Sequence, residues 1–473
     1  MSIHGRSLPI RKKRDVDMTE GNITRHIISF ALPLLIGNLF QQLYNTVDTW
    51  VVGNYVSNEA YSAVGTVGPI INMLIGFFLG LSSGAGVVIS QYYGARQHDK
   101  VQETVHTAIL MTLIIGVVFT AIGIVMIPLM LKLINMPATV IGEATTYLSI
   151  YFAGLLGLML YNIGAGIIRA VGDSQRPFYF LVVCAVLNTV LDLLFVLVFH
   201  MGVAGVALAT VISQGISAVF CYWKLDRMSD IFDMGWRQMK LIPSMAGRIL
   251  KIGIPSGITQ AIMATAGMVV LNLTNAMGKT VVACNVIVMR VDGFAMMPNM
   301  TFGQAMSVYT GQNVGAGKYD RVTKGVKQGG ILAASFSAAI TMILLIFSPT
   351  LFGFFTETES LIDLATRMIR IMAVGYICIS VTQVLGGVMR GAGDTVTPMW
   401  VSIISTIIIR VPTAYILAYL TRTPEFPHGK PIALFGSLVI SWTLGMIISV
   451  IVFSLGRWKK KMYGNSIPTH EED

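Results

Sequence analysis

The sequence predicts an all-α polytopic membrane protein, with twelve transmembrane helices in two six-helix lobes related by a pseudo-two-fold axis along the membrane normal. Composition is the first reason: of 473 residues 54% are hydrophobic and 12% charged, against roughly 25% charged in ordinary soluble domains. The basic residues are the second, because they sort by membrane side. Of 33 Lys and Arg, 25 fall in the N-terminal stretch, in alternate loops or in the Arg457 to Lys461 cluster, while four (Lys132, Lys279, Arg422, Lys430) occupy the opposite loops. That bias is the positive-inside rule, with both termini cytoplasmic and an even number of spans. It also accounts for the net charge of +10 without nucleic acid. The third reason is an internal repeat in the loops.

Taken in order, the Arg-rich stretch Arg11, Lys12, Lys13, Arg14 precedes an apolar run too long for a signal-peptide core, so it reads as a retained cytoplasmic tail. Runs long enough for the ~30 Å hydrocarbon core, separated by Gly, Pro and charged breaks, come next. They cover 26 to 54, 60 to 93, 100 to 132, 141 to 171, 177 to 200 and 204 to 226 in a first lobe (residues 1–226). A polar linker occupies 227–245. Runs at 247 to 275, 281 to 312, 319 to 354, 360 to 391, 397 to 420 and 432 to 457 make the second lobe (246–473). Cys184, Cys221, Cys284 and Cys378 fall inside apolar runs without CxxC spacing and read as packed side chains.

The repeat lies in the breaks. Ile167-Ile-Arg-Ala-Val-Gly-Asp-Ser-Gln-Arg-Pro177 matches Val388-Met-Arg-Gly-Ala-Gly-Asp-Thr-Val-Thr-Pro398, so that Arg169, Gly172, Asp173 and Pro177 each recur 221 positions on. Gln91-Tyr-Tyr-Gly-Ala-Arg-Gln-His-Asp99 matches Gln312-Asn-Val-Gly-Ala-Gly-Lys-Tyr-Asp320 at the same offset, and Ala31-Leu-Pro33 parallels Gly253-Ile-Pro255 at 222. Repeats of six spans keep one orientation, which places their axis along the membrane normal. Two such bundles leave a cleft, an arrangement of alternating-access transporters rather than channels.

On these residues the chain resembles the multidrug and toxic compound extrusion (MATE) family from Thr19 to about Trp458. That family carries Gln-x-x-Gly-Ala after its second and eighth helices and Arg-x-x-Gly-Asp-x-x-x-Pro after its fourth and tenth, and both copies of each are present here.

Asp48, in Tyr44-Asn-Thr-Val-Asp-Thr-Trp-Val-Val-Gly53, is an acid inside an apolar span and marks a functional site whose partner must be found. The fifth span is apolar except for Asn188, Thr189 and Asp192, and Asn188 and Asp192 share a helical face. At 1.5 Å per residue, Asp48, Asp192 and Thr210 all lie about 10 Å below the outer surface. Two carboxylates, an amide and a hydroxyl offer oxygens to a hard cation such as Na+, or share a proton that an incoming cation displaces. The resemblance implies the same four residues as the cation or proton site, and adds Asn162 to the network and Pro33 as the point where the first helix bends.

In the second lobe Asp292 and Arg410 lie near mid-membrane and are expected to form a structural ion pair. The family branch with a glutamate in its seventh helix differs, since Arg248 to Ala276 contains no acid. Phe294, Met296, Met297 and Met300 make an adaptable lining for apolar substrates.

The expectation is an antiporter in the inner membrane, acting as a monomer and exporting amphiphilic, cationic small molecules, with H+ or Na+ as coupling ion and no other cofactor. The alternative is a lipid-linked precursor flippase, which needs several Arg or Lys in its cleft; few are expected there, chiefly Arg290 and Arg410. An enzyme is disfavoured because no nucleophile is accompanied by a base or a metal-ligand cluster.

Overall fold

The computed structural model describes residues 17–464 apart from 135, 229–230, 232, 236 and 238. The basic residues at 11–14 and the chain beyond 464, expected to be cytoplasmic tails, lie outside the described residues. Twelve rods correspond to the twelve predicted spans: α1 (Ile23–Tyr55), α2 (Asn58–Gly94), α3 (His98–Leu133), α4 with α5 (Ile141–Ala153, Leu155–Ala170), α6 (Gln175–Leu193), α7 (Gly202–Asp226), α8 (Pro243–Ala276), α9 (Lys279–Gly315), α10 (Tyr319–Gly353), α11 (Glu359–Gly391), α12 with α13 (Val396–Ile403, Arg410–Leu420) and α14 (Ile432–Ser454). A short basic helix, α15 (Arg457–Gly464), ends the described chain. Among the described residues ten helices are long and apolar enough to cross a membrane singly, and the bent pair α4/α5, counted as one span, makes eleven. The four cysteines are free and buried.

Three rods depart from regular helices. The fourth bends by 47° at Gly154, where a Cβ would collide with Val211 of α7. The fifth continues from α6 into a π-turn, Leu194–Val198, and the eleventh is interrupted by another, Ile404–Ile409. Such turns insert a residue into the helical register and re-aim the side chains beyond it.

Each repeated motif builds the same pair of helix ends. Gly172 (φ 93°) and Gly393 (φ 89°) hold the left-handed conformation that ends α5 and α11, and the next N–H closes each helix, Asp173 N–H to Ile168 O (3.2 Å) and Asp394 N–H to Met389 O (2.8 Å). The aspartate then starts the following helix. Asp173 Oδ1 accepts from the N–H of Gln175 and Arg176, and Asp394 Oδ1 from that of Thr397. Pro177 and Pro398 fall in the first turns of α6 and α12, where no intrahelical N–H is lost.

The other motif repeats its turn as well. Gly317 (φ 68°) matches Arg96 (φ 56°), which holds the same left-handed backbone with a side chain. The ion pair of Arg96 with Glu20, at 3.8 Å, is exposed and contributes little. Arg96→Gly is therefore expected to raise stability by about 1 kcal/mol by relieving the left-handed strain, readable as a higher thermal unfolding midpoint; a lower midpoint would contradict this account of the turn.

The lobes meet along a seam of small residues. On α2 Gly80 and Gly84, and on α8 Gly253 and Gly257, form two small-xxx-small stripes that bring the backbones together. A Cβ on Gly84 would sit 2.6 Å from Gly253 Cα, and one on Gly80 would overlap Gly257. The first helix of each half also leans on the opposite lobe. Ile23, Ile27, Phe30, Ala31 and Leu34 of α1 share a core with Phe302, Met306 and Tyr309 of α9, while Ile249 and Ile252 of α8 pack among first-lobe residues.

At the end carrying the repeated loops the lobes are sealed. Gln91 Nε2 donates to Gly391 O (2.9 Å) and Gln312 Nε2 donates to Ala170 O (3.0 Å), reciprocal bonds related by the 221-residue offset. Each glutamine is held in turn, Gln91 Oε1 by Arg248 Nη2 (2.8 Å) and Gln312 Oε1 by Met18 N–H (3.1 Å). Met18 is fully buried, and the stretch of chain around it is tied to the second lobe through Asn313, Lys318 and Arg321.

Candidate functional site

The structure gathers Asp48 (α1), Asn188 and Asp192 (α6) and Thr210 (α7). Helices α1 and α6 approach closely because Gly37 lies against Leu181 and Phe178; a Cβ there would stand 3.3 Å from Leu181. Asn188 and Asp192 are one turn apart, immediately before the π-turn. Exposures are 9% for Asp48, 1% for Asn188 and 0% for Asp192, so bulk water does not solvate these carboxylates. Asn188 Nδ2 donates to Thr210 Oγ1 (3.4 Å), and Thr210 Oγ1 donates to Asp48 Oδ2 (3.4 Å) or to Val206 O (3.1 Å). One hydroxyl proton serves two acceptors.

The remaining oxygens have no donor. Asp48 Oδ1, both oxygens of Asp192 and Asn188 Oδ1 are buried without a hydrogen-bond partner, and among the described residues neither aspartate is in an ion pair. The two carboxyl groups act directly on each other. Two ionised carboxylates so placed would repel each other in a low-dielectric site, and each orphaned buried acceptor costs about 1–3 kcal/mol or more. A shared proton satisfies the pair, and the four oxygens with Thr210 Oγ1 equally fit a hard cation.

Three tyrosines that the sequence did not single out surround the pair. Tyr44, Tyr147 and Tyr151 are all buried, and Tyr147 and Tyr151 share a core with Val47, Val51 and Val52 of the helix that carries Asp48. Tyr147 and Tyr151 stack at 6.2 Å, and Tyr44 Oη accepts from Gln214 Nε2 (3.3 Å). The i, i+4 spacing of Tyr147 and Tyr151 was the available signal.

Some expected members are not in the cluster. Asn162 turns its Nδ2 onto Leu158 O (2.9 Å) of its own helix, and its backbone carbonyl accepts from Ser82 Oγ (2.9 Å). It braces α5 against α2 instead of reaching the acids. Pro33 lies about 22 Å along α1 from Asp48, next to Leu34, where α1 leaves the second-lobe core; the helix is continuous through it.

The expected Asp292–Arg410 ion pair is not formed. Asp292 Oδ1 accepts from Tyr376 Oη (2.8 Å), no ion pair joins it to Arg410 among the described residues, and Arg410 Nε has no partner. Arg410 follows the π-turn Ile404–Ile409 and instead lines a pocket of about 310 Å³ with Asn72 of α2 and Met289 of α9. An extra residue in the turn redirects the side chain, which a regular helical projection misses.

Of the soft residues only Met300 reaches the space between the lobes. It lines a cavity of about 180 Å³ with Phe30, Leu34 and Met263. Met296 packs into the second-lobe core, Met297 is half-buried and Phe294 is 39% exposed. The cavity also holds Arg169 and Arg390, whereas Arg290, expected in the cleft, does not line it.

Comparison with known proteins agrees with this architecture. The probable multidrug resistance protein YpnP of Bacillus subtilis is 29% identical over 449 residues, 94% of this chain and 97% of that protein. The probable multidrug resistance protein NorM of Thermotoga maritima is 25% identical over 452 residues, 93% of this chain and 94% of that protein. Among solved structures, an outward-facing conformation of a multidrug resistance MATE family transporter of the MOP superfamily superposes with a TM-score of 0.86 at 24% identity, covering 95% of this chain and 99% of that one. The MatE family model matches twice, over residues 33–194 and 255–416, one match per half and beginning at the paired prolines Pro33 and Pro255. The chain therefore belongs to the MatE family of multi-pass membrane transporters.

Proposed function

We propose that the protein is a multidrug exporter of the inner membrane that expels amphiphilic, cationic compounds in exchange for H+ or Na+. The observation that carries this is the set of buried oxygens without donors on Asp48, Asp192 and Asn188. In this reading the empty pair of acids is unstable, so the cluster is always occupied, either by the coupling ion or in competition with the positive charge of the cargo. Occupancy and lobe arrangement are then linked. Thr210, with one proton and two acceptors, re-aims when Asp48 is neutralised, and α1, which spans both lobes, carries the change past Pro33 to the sealed end. That end is the cytoplasmic one by the distribution of basic residues, so the sealed state opens outward. Met300 and the apolar residues beside it are the part of the soft lining that meets cargo. One chain contains both lobes and the full cluster, so a monomer suffices. The relatives' names point to drugs and not to lipid-linked precursors.

The test is transport by the purified chain in proteoliposomes with Na+ and pH gradients imposed separately. Efflux of a fluorescent lipophilic cation is expected to follow one gradient and to stop when that gradient is collapsed. Efflux that is indifferent to both gradients would sink the reading.

A further inference from the structure

The inter-lobe cavity is built on the pseudo-two-fold axis. Its lining contains residues in pairs separated by 221 positions: Ser83 with Gln304, Val87 with Val308, and Arg169 with Arg390. It therefore receives one arginine from each lobe, and its lining contains no acidic residue. The aspartate of each arginine's own motif is engaged elsewhere. Asp173 pairs with Arg176 at 2.7 Å, and Asp394 with Lys461 at 2.6 Å. Among the described residues no hydrogen bond or ion pair is made by the guanidinium of Arg169 or Arg390, and the side-chain amides of Gln304 and Gln383, in the same lining, are likewise without protein partners. Guanidinium groups half-buried at a lobe interface, with no carboxylate in the lining to compensate them, are costly unless something anionic completes the site.

Arginine suits one ligand chemistry in particular. Its planar fork matches the oxygens of phosphate and carboxylate in paired hydrogen bonds, each stronger for the charge. We propose that Arg169 and Arg390 form a binding site on the axis for an oxyanion of the phosphate class, which bridges the two lobes and holds this end closed. The residues next in sequence, Ala170 and Gly391, supply the carbonyls of the reciprocal glutamine bonds, so a ligand seated on both arginines reinforces that closure. If the lobes part here the arginines separate, and the anion loses half of its contacts. By linkage, anion binding and sealing must favour one another. The site is separate from the Asp48 cluster and opposite to it in charge.

The phosphate group could be free or belong to a lipid headgroup, and titration calorimetry in a neutral detergent at constant ionic strength separates the two. Inorganic phosphate forms one arm; water-soluble short-chain phosphatidylglycerol, with phosphatidylcholine as its control, forms the other. Saturable binding of phosphate identifies a free anion, and binding of phosphatidylglycerol alone identifies a lipid; either supports the site. Arg169→Gln and Arg390→Gln should each weaken binding at least about tenfold, the loss of one charge-assisted contact, while Arg169→Lys with Arg390→Lys keeps the charge, guards against misfolding and should bind with intermediate strength. Binding by neither ligand, or wild-type binding in the Arg169→Gln, Arg390→Gln double variant, would overturn the proposal. An independent readout keeps both arginines: labels at Asp99→Cys and Asp320→Cys, exposed and related by the offset, should move to shorter separations when phosphate is added. An unchanged distance distribution at saturating phosphate would remove the bridging role.

Discussion

Asp48→Asn is expected to abolish gradient-driven export while the protein still folds. The substitution keeps the size and shape of the side chain and removes the one property the cluster needs from it, a charge that only a proton or a cation can neutralise. Folding survives because a buried carboxylate without a fixed counter-charge is a cost to the native state, and the neutral amide lowers that cost. An unfolding midpoint equal to or above that of the unaltered protein is expected alongside lost transport. Asp192→Asn should behave in the same way. Because the two carboxyls act directly on each other, the double variant should be little worse than either single one, as coupled members of one network are not additive. Undiminished export by Asp48→Asn in proteoliposomes, or losses that multiply in the double variant, would remove the coupling role assigned to the pair.

The second large effect is expected at the sealed end. Helices α2 and α9 cross there backbone to backbone, and a Cβ on Gly94 would overlap the Gln312 carbonyl, just as one on Gly315 would overlap that of Gln91. Neither obstacle is a flexible side chain, so the backbones must separate. Overpacking of this kind costs about 1–3 kcal/mol, which shifts a two-state equilibrium roughly 5- to 150-fold. Gly94→Ala and Gly315→Ala should therefore disfavour the state closed at this end, widen the separation between labels at positions 99 and 320, and slow export by about tenfold or more. Gly330→Ala, with nothing within 4 Å of the added carbon, is the matched control and should transport normally. If Gly94→Ala matches this control in both readouts, the close crossing is not part of the transport cycle.

The parts that could be read from sequence share a physical reason. Asp48, Asn188, Asp192 and Thr210 were identifiable because each is expensive in an apolar span and because helical rise alone puts them at one depth. The repeated loops were identifiable as a repeat, and their glycines and aspartates have local jobs, ending one helix and starting the next. What escaped depends on rotation about helix axes. Asp292 and Arg410 agree in depth but not in direction, because a π-turn intervenes. Asn162 satisfies itself on its own helix, which spacing could not reveal. Tyr147 and Tyr151 resemble ordinary packing residues until Asp48 is seen beside them. In sequence the arginines of the repeated motif are indistinguishable from loop charges, and only the inter-lobe geometry shows that both face one cavity.

The reciprocal bonds Gln91 to Gly391 O and Gln312 to Ala170 O form an isologous joint of the kind two identical subunits make. Their acceptors are backbone carbonyls, present whatever residue occupies the position, so two copies of the first half could close on each other with the same bonds. Such a homodimer would carry two acid pairs. The fused chain keeps the dimer's joint but only one acid pair, because Thr413 stands where the offset would place a second copy of Asp192. Under the proposed coupling, a symmetric hinge is thereby driven from one side alone, and each closure of both lobes would answer to a single ion-binding event.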